Sequence, residues 1–492
     1  MRAFAAILLA LTVVGARATE PATPYDVKQA PWPCWRGPYF NGSAPDQGIE
    51  LIDDLGLAKL LWTSDVPIPA AHPGSGGVKG YWACGYSSPI VAQGRVYVAY
   101  WTPPGRTTYA FTEEDKKPEY RFTRRNPANR DDLTADDVLH CFDAKTGKTL
   151  FRTVLAGKGL MRPGSKQGCH MTPCWWDGKV YFSGSAERHY CLDATTGELV
   201  WEAETAISKV QDEKKKQGRL DKSPNYAAPV VIDGVVAIPT GTNHGSSLIG
   251  YDAAKGTVLW EVGKLGGVNS VSTPWSHEGK GYFICKGELI EAKTGKVPWD
   301  AAASMPKGGR IPDYSTWPAS GNHVVLIRMM SPAGGGVTVT SPVCFKISPS
   351  ECKPAWTGQA SVATGRGLAS YEAPIIYHDR VYVVGKGSGG SLRCYDLESG
   401  KLLGSMPVGR TLNRFNDVGS SNVAVDGRLL CPQMMSVAMV TADPKGLRLL
   451  GEAPVGLANS TSIAYADGLL YFRTESNTDA RVVCYDLRAG GK

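Results

Sequence analysis

The chain is built from short apolar runs that alternate with polar turns. In most repeats a proline precedes a run of β-branched and aromatic residues, a polar residue followed by glycine ends that run, and a second apolar run begins. The first copy covers residues 88–98 and reads SPIVAQGRVYV, with its turn at Gln93 and Gly94. Two such runs joined by a short glycine turn predict a β-hairpin, because glycine adopts positive φ angles at little cost.

Most repeats end in a second motif, x-Asp-x-x-Thr-Gly or a variant of it, which is often followed by a bulky apolar residue. This motif is clearest from Asp193 to Trp201, and Asp252 to Trp260 shows it with lysine in place of threonine. The pattern returns with a period of roughly 40 to 56 residues, apart from an insert in the first copy, and such a period in an all-β sequence predicts propeller blades. Each copy contains four strand signals, which predict one four-stranded blade. The eight copies begin near Ser88, Thr172, Ala228, Thr273, Trp317, Ala373, Val423 and Ser462.

The two ends of the repeat array complement each other. The eighth copy stops at Lys492 without an outer strand, whereas residues 59–62 read as an outer strand with no blade before them. Pairing the two segments would remove two exposed sheet edges. We therefore predict an all-β fold, an eight-bladed β-propeller of four-stranded antiparallel blades, closed by the N-terminal strand pairing with the last blade. The single propeller domain would cover residues 59–492, with an N-terminal extension at 19–58 and an insert at 102–138 in blade one.

The N-terminus and the composition bear on compartment and partners. A basic residue, Arg2, precedes an apolar stretch at 3–14 and an Ala-x-Ala pattern at 16–18, which predicts a secretory signal covering residues 1–18. A retained membrane anchor is the alternative, although the apolar stretch is short for a span. We expect a periplasmic or secreted protein with no membrane span in the mature chain. The net charge of +7 is mild for 492 residues and does not predict a nucleic-acid partner.

Twelve cysteines in an exported chain permit disulfides, but the sequence does not give their connectivity. Several cysteines occupy the same small position in successive repeats, where a buried structural role is expected. Cys344 and Cys352 flank one short turn and are the candidate disulfide that the sequence singles out.

The repeats resemble the PQQ-like repeat, an eight-bladed propeller superfamily with a tryptophan-docking motif. The resemblance rests on Cys191-x-Asp193-x-x-Thr196-Gly197-x-x-x-Trp201, and on the N-terminal stretch 32–38, which reads WPCWRGP. It implies the propeller fold for nearly the whole mature chain. It does not imply one function, because the superfamily contains quinoprotein dehydrogenases as well as BamB-like assembly factors.

Strand alternation sorts the loops onto two faces of the predicted propeller. The turns within hairpins are uniformly short and share one face, which we call the short-turn face. The insert at 102–138, the connection at 202–226 and the loop at 328–341 lie on the opposite, long-loop face. Binding residues usually lie on such loops. On the long-loop face we predict a ligand-binding ring at the channel mouth, formed by Tyr86, Asn225, His244, Asn269, Tyr314, Tyr371, Glu372, Asn416, Asp417 and Asn459.

A ring of amides, carboxylates and tyrosines is typical of a site for a polar ligand such as a sugar. The prediction that we favour is a binding or assembly module, similar to BamB, whose partner is a polar small molecule, a polysaccharide or an envelope protein. Whether the protein is an enzyme, and which cofactor or metal it binds, is unknown at this point.

The alternative to a binding module is an enzyme whose active site lies on the same face, and two kinds of enzyme are considered. A PQQ-dependent dehydrogenase would require PQQ and calcium, with oxygen ligands from Glu372, Asn416 and Asp417. The sequence lacks the adjacent cysteine pair that the resemblance to those enzymes would imply.

A polysaccharide lyase acting by β-elimination is the other alternative. It would use His170 or Tyr226 as the base and Arg366 or Arg414 to neutralise the substrate carboxylate.

Overall fold

Eight separate antiparallel sheets form the molecule, and in all but two of them the strand order follows the chain. The computed structural model describes residues 23–69, 86–106, 134–160, 171–215, 228–242, 245–265, 271–301, 316–330, 338–363, 373–385, 390–408, 421–433, 435–458, 461–476 and 479–490. Neighbouring sheets contact each other through their first strands, which are therefore the innermost strands and surround a central channel. The predicted eight-bladed propeller is confirmed.

The strands are numbered in chain order. A 3-10 helix (Leu55–Leu57) and strand β1 (Lys59–Thr63) precede the first blade. Blades one to four contain β2 (Ile90–Ala92), β3 (Arg95–Thr102), β4 (Thr134–Asp143), β5 (Thr149–Leu160); β6 (Cys174–Trp176), β7 (Lys179–Ser183), β8 (His189–Asp193), β9 (Leu199–Ala203); β10 (Val230–Ile232), β11 (Val235–Thr242), β12 (Gly245–Asp252), β13 (Val258–Leu265); β14 (Thr273–His277), β15 (Lys280–Cys285), β16 (Glu288–Glu291) and β17 (Trp299–Asp300).

Blades five to eight contain β18 (Ala319–Ser320), β19 (His323–Met330), β20 (Thr338–Ser348), β21 (Glu351–Thr357), β22 (Ser361–Ala363); β23 (Ile375–Tyr377), β24 (Arg380–Val384), β25 (Ser391–Asp396), β26 (Leu402–Pro407); β27 (Val423–Val425), β28 (Arg428–Gln433), β29 (Ser436–Thr441), β30 (Leu449–Ala453); β31 (Ala464–Ala466), β32 (Leu469–Arg473) and β33 (Val482–Asp486). The connection between blades two and three contains the helix α1 (Ala206–Lys215).

Strand β1 is the outer strand of the last blade. It pairs antiparallel with β33, with Leu60 opposite Tyr485 and Trp62 opposite Cys484. The last sheet therefore has the order β1-β33-β32-β31. The predicted closure by the N-terminal strand is confirmed, and it joins the two ends of the chain in one sheet.

The docking motif holds neighbouring blades together by a repeated contact. The indole N–H of Trp62 donates to Ala144 O over 3.0 Å, and the ring covers Gly147 in the turn of blade one. A Cβ atom at Gly147, where φ is +70°, would lie 2.4 Å from that ring. The same indole-to-carbonyl bond links Trp201 to Ala253, Trp260 to Ala292 and Trp356 to Leu397. The tryptophan and the turn glycine of the motif are thus the two halves of one contact between blades.

Residues ahead of β1 fill the central channel. Trp32 forms a β-bridge with Val91 in β2, and Pro33 O accepts from Trp175 N over 2.7 Å in β6. On the other side of the channel, Gly42 O accepts from Ala424 N over 2.8 Å in β27. Trp32 and most of the residues around it are buried. We call residues 23–48 the channel segment.

The channel segment contacts the short-turn face at two points, Gln29 and Asp46. Gln29 O accepts from the backbone of Gln93 in the first turn of blade one, and the Asp46 carboxylate accepts from the backbone of Asp426 in the corresponding turn of blade seven. The middle of the segment therefore points toward the long-loop face. The channel segment is a loop that enters from one face and reaches toward the other.

The candidate disulfide between Cys344 and Cys352 is wrong. In the β20–β21 hairpin Cys344 lies opposite Trp356, whereas Cys352 lies opposite Ile347. The two cysteines are therefore offset by three positions along the ladder, which is too far for a disulfide. Both are free thiols.

Replacing Trp62 with alanine tests the closure. The Trp62 side chain is 8% exposed and joins blade eight to blade one, so Trp62→Ala is expected to lower the free energy of unfolding by roughly 3–5 kcal/mol in urea denaturation. The control is Leu60→Ala on the same strand, where the side chain is 52% exposed and a change below about 0.5 kcal/mol is expected. Equal, small effects of the two substitutions would contradict the closure.

Candidate binding site at the channel mouth

Small hydroxyl side chains mark the start of the innermost strands on the long-loop face. They lie two or three positions ahead of the first strand in several blades, and two of them, Ser88 and Thr172, directly precede a proline. The buried ones include Ser88, Thr172, Thr316, Ser421 and Ser462.

These hydroxyls are joined from blade to blade. Ser88 N donates to Thr172 Oγ1 over 2.8 Å, and Ser462 N donates to Ser88 Oγ over 2.7 Å. Ser421 N donates to Ser462 Oγ over 3.2 Å. A hydrogen-bonded belt therefore runs through blades seven, eight, one and two and fixes this side of the channel mouth.

The tip of the channel segment carries a buried arginine. Arg36 is 2% exposed; its Nη1 donates to Thr316 Oγ1 over 3.3 Å and its Nη2 to Pro374 O over 2.5 Å. Both partners directly precede the innermost strands of blades five and six. The guanidinium group therefore lies at the channel mouth, on the side opposite the hydroxyl belt.

A tight turn places Arg36 there. Arg36 and Gly37 both have positive φ angles, +74° and +76°. At position 37 a Cβ atom would lie 2.8 Å from the ring of Trp32, so the turn requires glycine. The Trp35-Arg36-Gly37 sequence is thus suited to turning the chain inside the channel.

The charge of Arg36 has no anionic partner in the described part of the chain. Its two bonds go to a hydroxyl and a carbonyl, and its Nε has no hydrogen-bond partner. Burial lowers the pKa of Arg36 to about 9. At neutral pH the group is still protonated, so the channel mouth contains a buried positive charge.

A second arginine lies on the belt side. Arg473, at the end of β32, is fully buried and donates to Ser87 O over 3.0 Å and to Pro69 O over 2.8 Å. It fastens the start of blade one to blade eight.

Two buried carboxylates on this side of the blades bind hydroxyl groups of the neighbouring blade and do not pair with Arg36. Asp137 accepts from Ser185 Oγ over 2.6 Å, and Glu187 accepts from Thr240 Oγ1 over 2.9 Å, both between neighbouring blades. Burial lowers the pKa of His189 to about 3, so this histidine is neutral where it contacts Tyr251. These groups stabilise the blades that surround the mouth.

One predicted ring residue, Tyr86, is among the described residues, where it is buried two positions ahead of the belt residue Ser88. The other predicted ring and catalytic residues lie outside the described residues and stay predictions; they are His170, Asn225, Tyr226, His244, Asn269, Tyr314, Arg366, Tyr371, Glu372, Arg414, Asn416, Asp417 and Asn459.

Sequence reasoning missed Arg36, Arg473 and the belt. The signals were present: a serine or threonine recurs shortly ahead of the innermost strand in several repeats, and Arg36 lies inside the WPCWRGP stretch. What the sequence did not show is that this stretch enters the channel.

Within the described ranges, no three His, Cys, Asp or Glu side chains are grouped closely enough to hold a metal ion. Among the same residues, no helix is long and apolar enough to cross a bilayer.

Comparisons with known proteins agree with this architecture. Part of the chain is similar to the dehydrogenase subunit of a quinone alcohol dehydrogenase from Komagataeibacter europaeus, with 31% identity over 127 residues. This match spans 25% of the chain and 16% of the relative's length.

Solved structures share the fold at low sequence identity. The quinohemoprotein alcohol dehydrogenase from Comamonas testosteroni superposes with a TM-score of 0.53 and 13% identity, covering 94% of this chain and 81% of that one. A europium-containing methanol dehydrogenase gives 0.53 and 11%, covering 93% and 98%. These likenesses show the propeller fold.

A family model described as outer membrane protein assembly factor BamB matches residues 135–338 and 320–492. The two matches together include blades two to eight and the outer half of blade one. The chain therefore belongs to the PQQ-like propeller family that this BamB model describes.

Proposed function

We propose that this protein is an exported binding module that holds an acidic glycan at the channel mouth. The observation that carries the proposal is Arg36, a buried cation with no carboxylate partner among the described residues. The predicted signal at residues 1–18 supports a periplasmic or secreted location. An envelope protein with an acidic segment is the alternative occupant, which the binding experiment distinguishes.

Burial of an unpaired charge is unfavourable unless another group compensates for it. A hydroxyl and a carbonyl oxygen solvate the Arg36 guanidinium only partly, and its lowered pKa reflects the remaining cost. A carboxylate that reaches the mouth would form a charge-assisted hydrogen bond with this group. The site therefore favours an anion over a neutral ligand.

The predicted ring residues would supply the rest of the site. Amides such as Asn225 and Asn269 suit sugar hydroxyls, and tyrosines such as Tyr226 and Tyr314 suit the faces of sugar rings. Strand alternation in the repeats predicts that these residues lie on the long-loop face.

The similarity to a quinone alcohol dehydrogenase favours PQQ-dependent oxidation as a second candidate function. Arg36 suits the carboxylates of PQQ, but the predicted calcium ligands, Glu372, Asn416 and Asp417, lie outside the described residues. In such an enzyme the quinone serves as the electron acceptor for alcohol oxidation. Dye reduction with alcohols or sugars, in the presence of PQQ and calcium, would replace the binding proposal with this one.

A polysaccharide lyase would be recognised by its product. Release of unsaturated uronate from polygalacturonate, followed by its ultraviolet absorbance, would support β-elimination. Loss of that activity in His170→Ala or Tyr226→Phe would identify the base. We expect binding of the polymer without this product.

Substitution of Arg36 separates binding from stability. Arg36→Met is expected to weaken binding of hexagalacturonate by about 10- to 100-fold, which corresponds to one charge-assisted hydrogen bond. The thermal midpoint of the free protein is expected to stay the same or rise, because a buried unpaired charge is removed. Calorimetric titration and thermal denaturation measure the two quantities.

The matched control is Arg95→Met, which removes the same charge from the short-turn face, where Arg95 contacts Thr195 O. It should leave affinity unchanged. Fully methyl-esterified hexagalacturonate should bind weakly to every variant. Unchanged affinity of Arg36→Met for hexagalacturonate would refute the proposed role of Arg36, and binding of an acidic envelope protein alone would identify the other occupant.

The pH dependence of binding provides an independent measurement. The pKa of Arg36 is lowered to about 9, so hexagalacturonate affinity should decline as the pH rises through that value. In the unfolded chain Arg36 keeps its proton to higher pH than in the folded protein. The free energy of unfolding should therefore rise as the pH increases through about 9. In Arg36→Met this decline in affinity should be absent, and its persistence there would assign the titration to another group.

A further inference from the structure

Two cysteines meet where the channel segment contacts blade two. Cys34 lies in the channel segment, and Cys174 is the first residue of β6; both are buried free thiols. The backbone bond of 2.7 Å from Trp175 N to Pro33 O joins the residues next to them. This bond holds the two cysteines side by side across the channel wall.

The thiols share one enclosed site with Tyr25. The Tyr25 hydroxyl lies 3.0 Å from Cys174 Sγ, and Cys34 Sγ donates to Gly37 O over 3.1 Å. Burial and the nearby Cys174 side chain raise the pKa of Cys34. The two sulfur atoms are therefore neighbours.

We propose that Cys34 and Cys174 form a disulfide that fastens the channel segment to blade two. The two thiols lose two protons and two electrons as the S–S bond forms. A low-molecular-weight or protein disulfide accepts the electrons and is reduced to two thiols by thiol–disulfide exchange. An exported chain meets such oxidants outside the cytoplasm.

Other cysteines of the repeat have a different environment. Cys141 and Cys191 lie in the third strands of blades one and two, where each contacts a tyrosine of its own blade, Tyr97 or Tyr181. They occupy the small position of the docking motif. They provide matched controls for the proposed disulfide.

Burial determines when the bond forms. Exchange requires a thiolate with access to the oxidant, and neither condition holds for Cys34 once the channel segment is in place. The disulfide therefore forms during folding, as the segment docks and before the site closes, and it is protected from reductants afterwards.

The experiment refolds the full chain from denaturant in a glutathione redox buffer or in dithiothreitol. Peptide mass spectrometry without reduction should give a Cys34–Cys174 linked peptide that is lighter by two hydrogen atoms than the reduced pair. The oxidised protein should melt about 5 °C higher than the reduced protein, because a disulfide that closes a long loop destabilises the unfolded chain. Addition of the same oxidant to already folded, reduced protein should give the link much more slowly.

Cys34→Ala and Cys174→Ala should each abolish the linked peptide and the shift in melting temperature, whereas Cys191→Ala should retain both. Alkylation of Cys34 and Cys174 in the wild-type protein unfolded after oxidative refolding would overturn the proposal without the use of any variant. A link from either residue to Cys84, Cys169 or another cysteine would overturn it as well.

Discussion

The unpaired edges of the innermost strands are the constraint on which this structure depends. Closing eight sheets into a ring leaves the backbone N–H and C=O groups of each first strand facing the channel, where they need partners. The channel segment supplies several of them, at Val91, Trp175, Ile376 and Ala424. The same piece of chain continues into β1, which completes the last blade. One N-terminal region thus fills the centre of the ring and closes its circumference.

The features of the fold that repeat along the chain could be predicted from the sequence. Blade number, hairpin turns and the outer strand at Lys59–Thr63 follow from a periodic pattern and from the count of strands at each end. The hairpin register near Cys344 was not predictable in this way. It depends on the position of a two-residue turn after Ser348 and on a bulge in the ladder, and these decide which residues of β20 and β21 face each other.

The site was harder to predict than the fold because its contacts join distant parts of the chain. Arg36 reaches Thr316 and Pro374, which are 280 and 338 positions away. Residues 23–48 have no periodicity, so nothing local indicates that they enter the channel. The prediction of a polar mouth on the long-loop face came from topology alone, and Tyr86 is its one member among the described residues. The buried Arg36 guanidinium at the tip of the channel segment adds a positive charge to that mouth.

Hydrogen exchange of the backbone amides tests the central claim, that the channel segment is an integral part of the closed ring. Peptides covering residues 30–44 should exchange as slowly as those covering β2 and β27, because their amide and carbonyl groups are paired with the innermost strands inside the channel. Exchange at the rate of an unstructured peptide, while the innermost strands stay protected, would contradict the account.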